Sequence, residues 1–337
     1  MIAFVVPGRL DQLTGGYIYD RQIVDGLRRL GQRVVVKQVR PRAAARVFAS
    51  IPDNAVVVVD GLAGGVLPEP IEREAGRLRF VALVHHPLAY ETGVSRAKAR
   101  RLLRSERRTL AAVRHVVVTS ARTQALLVRE YGVSRRRISC VEPGTTRRPL
   151  SRSTTGRHLL CVATLTPRKG HLTLIRALAR LKHLDWRLTC LGSLTRDRRT
   201  AAAVRAEIRA AGLQMRVSLA GETASGARLA RIYATSDIFV LPTEYEGYGM
   251  AVAEAIASGL PVISTPTGAI PSLVGRDAGI LVRAGDVSAL ARAIKRLLVD
   301  RRARLRLREG ARRRRRKLPT WPQSVRRVAE IVRGVAR

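Results

Sequence analysis

Residues Thr243 to Thr265 read TEYEGYGMAVAEAIASGLPVIST. Turn-prone residues among acids give way near Met250 to an apolar helical pattern, which Gly259-Leu260-Pro261 ends. The stretch follows DIFVLP (237–242), a continuous apolar run of the kind shown by a strand covered on both faces. Glu246 therefore falls on a loop at the carboxyl end of a strand, the edge at which open parallel sheets bind ligands. Gly247 and Gly249 let the backbone turn sharply and come close to a ligand. The helix N-terminus offers unpaired N–H groups carrying about half a positive charge, a seat for phosphate. Glu254 lies about one turn inside, with a carboxylate suited to sugar hydroxyls, and Glu246 suits a second polyol placed before the helix. One ligand with hydroxyls at both ends and phosphates between, a nucleotide sugar, fits this pattern.

The same rhythm runs outward in both directions. IAFVVP (2–7) is followed by TGGYIYDRQIVDGLRRLG, where Tyr19, Ile23, Leu27 and Leu30 share a helical face and Gly31 stops it. RVVVKQV (33–39), AVVVVD (55–60), FVALV (80–84), HVVVT (115–119) and ISCVEPG (138–144) read as strands, with helices expected near 95–113 and 121–131. After the polar, turn-rich TTRRPLSRSTTGR (145–157) the alternation restarts with HLLCVATL, WRLTCLG, RVSLAG, DIFVLP, PVIST and GILV as strands. Helices are expected at 170–181, 198–211 and 226–235, and another is capped by Asp286. Alternating strands and helices imply parallel sheets. The expected fold is α/β: two doubly wound Rossmann-like domains with an interdomain cleft. The division expected is 1–147, a linker at 148–157, a second domain at 158–317, and a C-terminal helix at 318–337. The tail RRARLRLREGARRRRRKLP is mostly arginine and receives no element, whereas Trp321, Val325, Val328 and Val332 are helically spaced.

The chain has 337 residues, enough for two domains, and 46% are hydrophobic but only 4% aromatic, so aliphatic side chains must fill the cores. Its formal net charge is +38. Lysine stands only at 37, 98, 169, 182, 295 and 317, so the excess is almost all arginine. Such a surface attracts phosphates, nucleic acid and anionic lipid. Cys140, Cys161 and Cys190 show no metal spacing, and reduced core cysteines of a cytosolic protein are expected. No signal peptide is read at the N-terminus, and no run approaches the ~18 apolar residues that cross a bilayer.

EGYGMAVAE, set between a strand and Ser-Gly-Leu-Pro-Val, resembles the Glu-x7-Glu signature of retaining glycosyltransferases of family 4, which have the GT-B fold. The likeness covers nearly the whole chain and is densest from about 158 to 285. It implies that Glu246 meets the donor sugar, that Gly247, Tyr248, Gly249 and Met250 hold sugar and phosphate, and that Glu254 holds the ribose. In VATLTPRKG (162–170), Lys169 and Arg168 are implied to neutralise a diphosphate. Relatives have Gly-Arg where Ala163-Thr164 stands here, and Arg168 is the candidate to compensate. Gly15 and Gly16 are implied to bring backbone N–H groups to the donor phosphate, and Gly192 of LGS (191–193) to line the base pocket. His85, after the fourth strand, is implied near the donor sugar, with His86 as the alternative.

The implied catalytic set is His85, Lys169 and Glu246, in a hexosyl transfer from a UDP- or GDP-sugar to a lipid or saccharide hydroxyl, with retention and without a metal or other cofactor. The two glutamates read as binders rather than as a glycosidase pair. A GT-B epimerase is the alternative enzyme. A basic protein binding nucleic acid or anionic membrane is the alternative of a different class, resting on the net charge and on RRRRRK (312–317). No aromatic-basic interleaving supports specific nucleic-acid recognition. The basic helix near 95–113 (Arg96, Lys98, Arg100, Arg101, Arg104, Arg107 and Arg108) suits an anionic membrane surface. The location expected is cytoplasmic, with peripheral contact at the inner face of the membrane.

Overall fold

The computed structural model describes every residue except Thr92, Thr154 and Ser225. It divides into two compact units, Met1–Gly144 with Pro319–Arg337, and Thr145–Leu318. The first unit's strands are β1 (Ile2–Val6), β2 (Val34–Gln38), β3 (Val56–Asp60), β4 (Arg79–Val84), β5 (His115–Val118) and β6 (Ile138–Cys140). They form one parallel sheet in the order β2-β1-β3-β4-β5-β6. β1 and β3 are buried throughout, which is why they are apolar runs and not alternating ones.

One face of this sheet carries the Gly15–Arg29 helix through Tyr19, Ile23 and Leu27, together with the C-terminal Trp321–Ala336 helix through Val325, Val328 and Val332. These two helices pack so closely that a β-carbon on Gly26 would lie 2.3 Å from Val325 Cγ2. Tyr19 sets its ring edge-on to Trp321 and donates its hydroxyl to the Val141 carbonyl at 3.1 Å. A capping box between Thr320 and Gln323 starts the last helix.

The second unit holds β7 (His158–Val162), β8 (Arg187–Leu191), β9 (Val217–Leu219), β10 (Ile238–Leu241), β11 (Val262–Ser264) and β12 (Gly279–Leu281). Its order is β12-β11-β10-β7-β8-β9, again all parallel. The chain winds from β7 through β8 to β9, then returns to the other side of β7 at β10. The direction of winding therefore reverses between β7 and β10, the switch point at which such sheets seat ligands. Residues 145–157 contain no helix or strand among those described, yet they are bonded into this unit: Ser151 N–H donates to Ser258 O at 2.8 Å and Ser151 Oγ to Ser236 O at 2.6 Å.

The arginine-rich tail, given no element from its sequence, is the Arg301–Arg315 helix capped by Asp300. Three of its arginines bind carbonyls within the unit, while Arg301, Arg302 and Arg306 are exposed. Arg304 is buried and donates to Leu297 O at 2.7 Å, and Arg308 donates to the carbonyls of Ser151 and Ser153. Arg314 reaches Asp277 Oδ1 at 2.6 Å and the Ser272 carbonyl at 2.8 Å. Bound this way, Arg314 of the 312–317 run belongs to the packing of the unit and not to a free basic patch. No helix among the described residues is long and apolar enough to cross a membrane.

Candidate active site

In the second unit the loops after β7 and β10 are tied together residue by residue. Pro167–Lys169 forms one turn of 3-10 helix, and Gly170 follows with φ +70. A β-carbon there would sit 2.1 Å from the Pro242 carbonyl oxygen, so only glycine allows the two loops to approach this closely. The Arg168 carbonyl accepts from Glu244 N–H at 2.7 Å and from Thr243 Oγ1 at 3.1 Å, while the Arg168 guanidinium donates to Tyr245 O at 2.8 Å. Lys169 Nζ donates to Glu246 Oε1. Their side chains are 15% and 12% exposed, so the pair is shielded but open on one side. Burial pulls the Lys169 ammonium below its ordinary pKa, against the lift from the Glu246 carboxylate.

Glu246, Gly247, Tyr248 and Gly249 lead into the Met250–Ala257 helix, whose first turn begins after Gly249 in a left-handed conformation. Glu254 lies one turn in and keeps different company from Glu246. Tyr233 donates its hydroxyl to Glu254 Oε2 at 3.1 Å, and Arg148 Nη2 lies 3.7 Å from Oε1. The Arg148 guanidinium also covers the Tyr233 ring at 5.8 Å. Burial raises the Glu254 pKa, and Arg148 and Tyr233 work against that rise. Gly192 follows β8 and donates its N–H to Gly221 O at 2.8 Å, and Leu165 N–H donates to Ser193 O at 3.1 Å, so the loop after β8 lies beside the loop after β7.

The first unit gathers a second group at the carboxyl ends of its strands. Gly15 and Gly16 open the first helix, and a β-carbon on Gly16 would lie 3.1 Å from His85 Cδ2. His85, just past β4, points Nε2 at Asp20 Oδ1 (3.0 Å) and Asp60 Oδ2 (3.4 Å). Both aspartates are 1% exposed. Asp60 also caps the short helix after β3 by accepting from Leu62 N–H at 2.8 Å. Asp20 Oδ2 is buried with no hydrogen-bond partner among the described residues. Burial alone would lower the His85 pKa, but the Asp20 and Asp60 carboxylates outweigh it and carry it up to about 10. Burial raises Asp20 as well, and the neighbouring Asp60 adds to the rise. His86 turns elsewhere, to Glu91 at 2.7 Å.

The sequence reading singled out neither Asp20 nor Asp60, nor Arg148 and Tyr233. Two of them carry a visible signal: Asp20 is a charge on the buried face of an amphipathic helix, and Asp60 is an acid closing an all-valine strand. Arg148 and Tyr233 are far from Glu254 in sequence and carry no such mark.

Comparison with known proteins finds glycosyltransferases. A family described as "Glycosyl transferases group 1" matches residues 156–300, and one described as "Glycosyltransferase Family 4" matches residues 69–146. An MMP alpha-(1->4)-mannosyltransferase of Mycolicibacterium hassiacum is 27% identical over 320 residues, covering 87% of this chain and 74% of that one. The lipopolysaccharide core biosynthesis mannosyltransferase LpcC of Rhizobium leguminosarum is 32% identical over 150 residues, 43% of this chain and 42% of that one. The fold matches sucrose-phosphate synthase of Thermosynechococcus elongatus, with a TM-score of 0.84 at 21% identity, over 99% and 98% of the two chains. It also matches Anabaena HepE in complex with UDP-glucose, with a TM-score of 0.80 at 16% identity and 99% of each chain. The chain belongs to the glycosyltransferases of the family 4 type, built as two Rossmann-like domains of the GT-B fold.

Proposed function

We propose that the protein moves a hexosyl group from a UDP- or GDP-sugar to a lipid or saccharide hydroxyl, with retention of anomeric configuration and with basic side chains in place of a metal. The observation that carries this reading is the Lys169–Glu246 pair at the switch point between β7 and β10, followed at once by a helix N-terminus. Transfer breaks the anomeric C–O bond to the nucleoside diphosphate, so positive charge grows on the sugar and negative charge on the phosphate. Lys169, Arg168 and the N–H groups opening the Met250–Ala257 helix stabilise the leaving phosphate. Glu246 accepts from sugar hydroxyls and Glu254 from the ribose, the ribose displacing Arg148 or Tyr233 from one carboxylate oxygen. The acceptor hydroxyl attacks on the face from which the phosphate leaves, and its proton passes to that phosphate.

In this reading the second unit holds the donor, with Gly192 beside the base. The first unit receives the acceptor and contributes Gly15, Gly16 and His85. The names of the matched mannosyltransferases, and the UDP-glucose held by HepE, support the donor class. The exposed side chains of Arg96, Lys98, Arg100, Arg101 and Arg104 suit peripheral contact with an anionic membrane on the cytoplasmic side.

The test is thermal protection of the pure protein by a panel of UDP- and GDP-sugars. At least one is expected to raise Tm, and Glu246→Gln and Lys169→Ala are each expected to remove that protection. Transfer measured with the same donor should fall by about 10²–10³ in kcat for Lys169→Ala, the usual loss when a hydrogen-bond donor to the transition state is removed. Added Mg²⁺ or Mn²⁺ should leave the rate unchanged. A protein indifferent to every nucleotide sugar would overturn the reading.

A further inference from the structure

Cys161 and Cys190 are direct partners on adjacent parallel strands, β7 and β8, so their side chains leave the same face of the sheet. Both are free thiols with no exposed surface. His171, the first residue of the His171–Ala179 helix, is 2% exposed and brings Nε2 to 3.7 Å from Cys161 Sγ. The two sulfurs and the imidazole nitrogen all lie within 4.8 Å of one another. We propose that Cys161, Cys190 and His171 form a binding site for one thiophilic divalent ion of the zinc class.

Three physical points support the site. Zinc bonds of about 2.3 Å to sulfur and about 2.0–2.1 Å to imidazole, at a tetrahedral angle, separate sulfur from nitrogen by about 3.6 Å. The Cys161–His171 spacing already has that span. His171 is otherwise an expensive core residue: its Nδ1 is buried with no hydrogen-bond partner among the described residues, a desolvation loss that an aliphatic side chain would avoid. Its Nε2 meets only sulfur among the contacts the fold gives it, a poor hydrogen-bond partner but a good companion ligand. Finally, binding releases two thiol protons to solvent, and a dication with two thiolates and a neutral imidazole carries no net charge. The interior then holds no uncompensated ion.

The ligands also explain why their spacing in sequence shows nothing: they come from two strands and a helix. Cys161 and His171 stand at the two ends of the loop that carries Arg168 and Lys169, and Cys190 lies two residues before Gly192. An ion here would clamp the roots of both loops. The site stands independently of the donor reading, because its test uses no sugar and no acceptor.

The test is titration of the metal-free full chain with Co²⁺ in reducing buffer, followed by absorption. One equivalent per chain is expected, with a thiolate-to-metal band in the near ultraviolet, tetrahedral d–d bands in the visible from the three protein ligands plus one water, and loss of both on adding Zn²⁺. Cys161→Ser and Cys190→Ser should each weaken binding at least tenfold, while Cys140→Ser should leave it unchanged. Because two of these positions are in the core, X-ray absorption of the zinc-loaded wild type is the companion measurement, with a mixed sulfur and nitrogen shell expected. No thiolate band in the wild type, a band lost in Cys140→Ser instead, or a purely oxygen and nitrogen shell would each overturn the site.

Discussion

His85 is gripped at one nitrogen by two carboxylates, and that decides which proton it can offer. With Nε2 facing Asp20 and Asp60, a hydrogen stays on Nε2 in either protonation state, so any ligand must meet Nδ1. In the imidazolium form that the carboxylates favour, Nδ1 is a donor, suited to a sugar or phosphate oxygen and unable to act as a base. The ring should therefore stay charged in NMR titrations well above the ordinary histidine value of about 6.5. Asp20→Asn should bring its pKa down by about a unit or more. The same pairing enters stability. His85 holds its proton more tightly folded than unfolded, so its contribution is complete below about pH 6.5. It is lost as pH rises through the folded value of about 10. Urea melts of the wild type should then lose more stability across that window than those of His85→Gln. Superimposable pH curves for the two proteins would show that the carboxylates do not hold the ring charged.

The elements carrying the candidate site are short, and their joints do more than their lengths. Gly170→Ala would place a methyl group against the Pro242 carbonyl at a left-handed φ, straining the loop by about 1–3 kcal/mol and spreading Lys169 from Glu246. A lower Tm with at least tenfold weaker donor binding is expected, and a variant indistinguishable from wild type in both would show that the loops are not locked here. Much at this scale was legible in the sequence. Strands of a doubly covered parallel sheet must be apolar runs, and HLLCV, RLTCL and IFVL announce themselves. The Glu246 loop was legible because a glycine-rich turn stands between such a strand and an apolar helix. The Arg301–Arg315 helix was not, because charged side chains that donate to distant carbonyls break the apolar stripe on which a helix is recognised. Asp20 meeting His85, Arg148 meeting Glu254, and Cys161 meeting His171 and Cys190 are contacts made by the fold, and no local pattern encodes them.

Across the whole molecule the charge of +38 is spread unevenly between interior and surface duties. Arg304, Arg308 and Arg314 are occupied in the second unit, and on the 96–112 helix Arg108 is held by Glu69 and Glu72. Arg107 donates to the Glu130 carbonyl at 2.9 Å, and the exposed Arg96, Lys98, Arg100, Arg101 and Arg104 are left to act on their surroundings. The protein should float with anionic vesicles and not with neutral ones, and salt should release it. Replacing Arg100, Arg101 and Arg104 with Gln should weaken partitioning by about a hundredfold, at about 1 kcal/mol for each charge near the surface. Equal flotation with both vesicle types would remove the membrane reading. One feature of the first unit has its own outcome during biosynthesis. Its sheet is complete by Cys140, but the Val325, Val328 and Val332 wall against which Ile23 and Leu27 rest is translated only after the whole of the second unit. While the nascent chain is still on the ribosome, that apolar flank has no cover. Of the two units, the one begun earlier is therefore completed later, and a stop codon ahead of Val325 would leave it sticky rather than merely shortened.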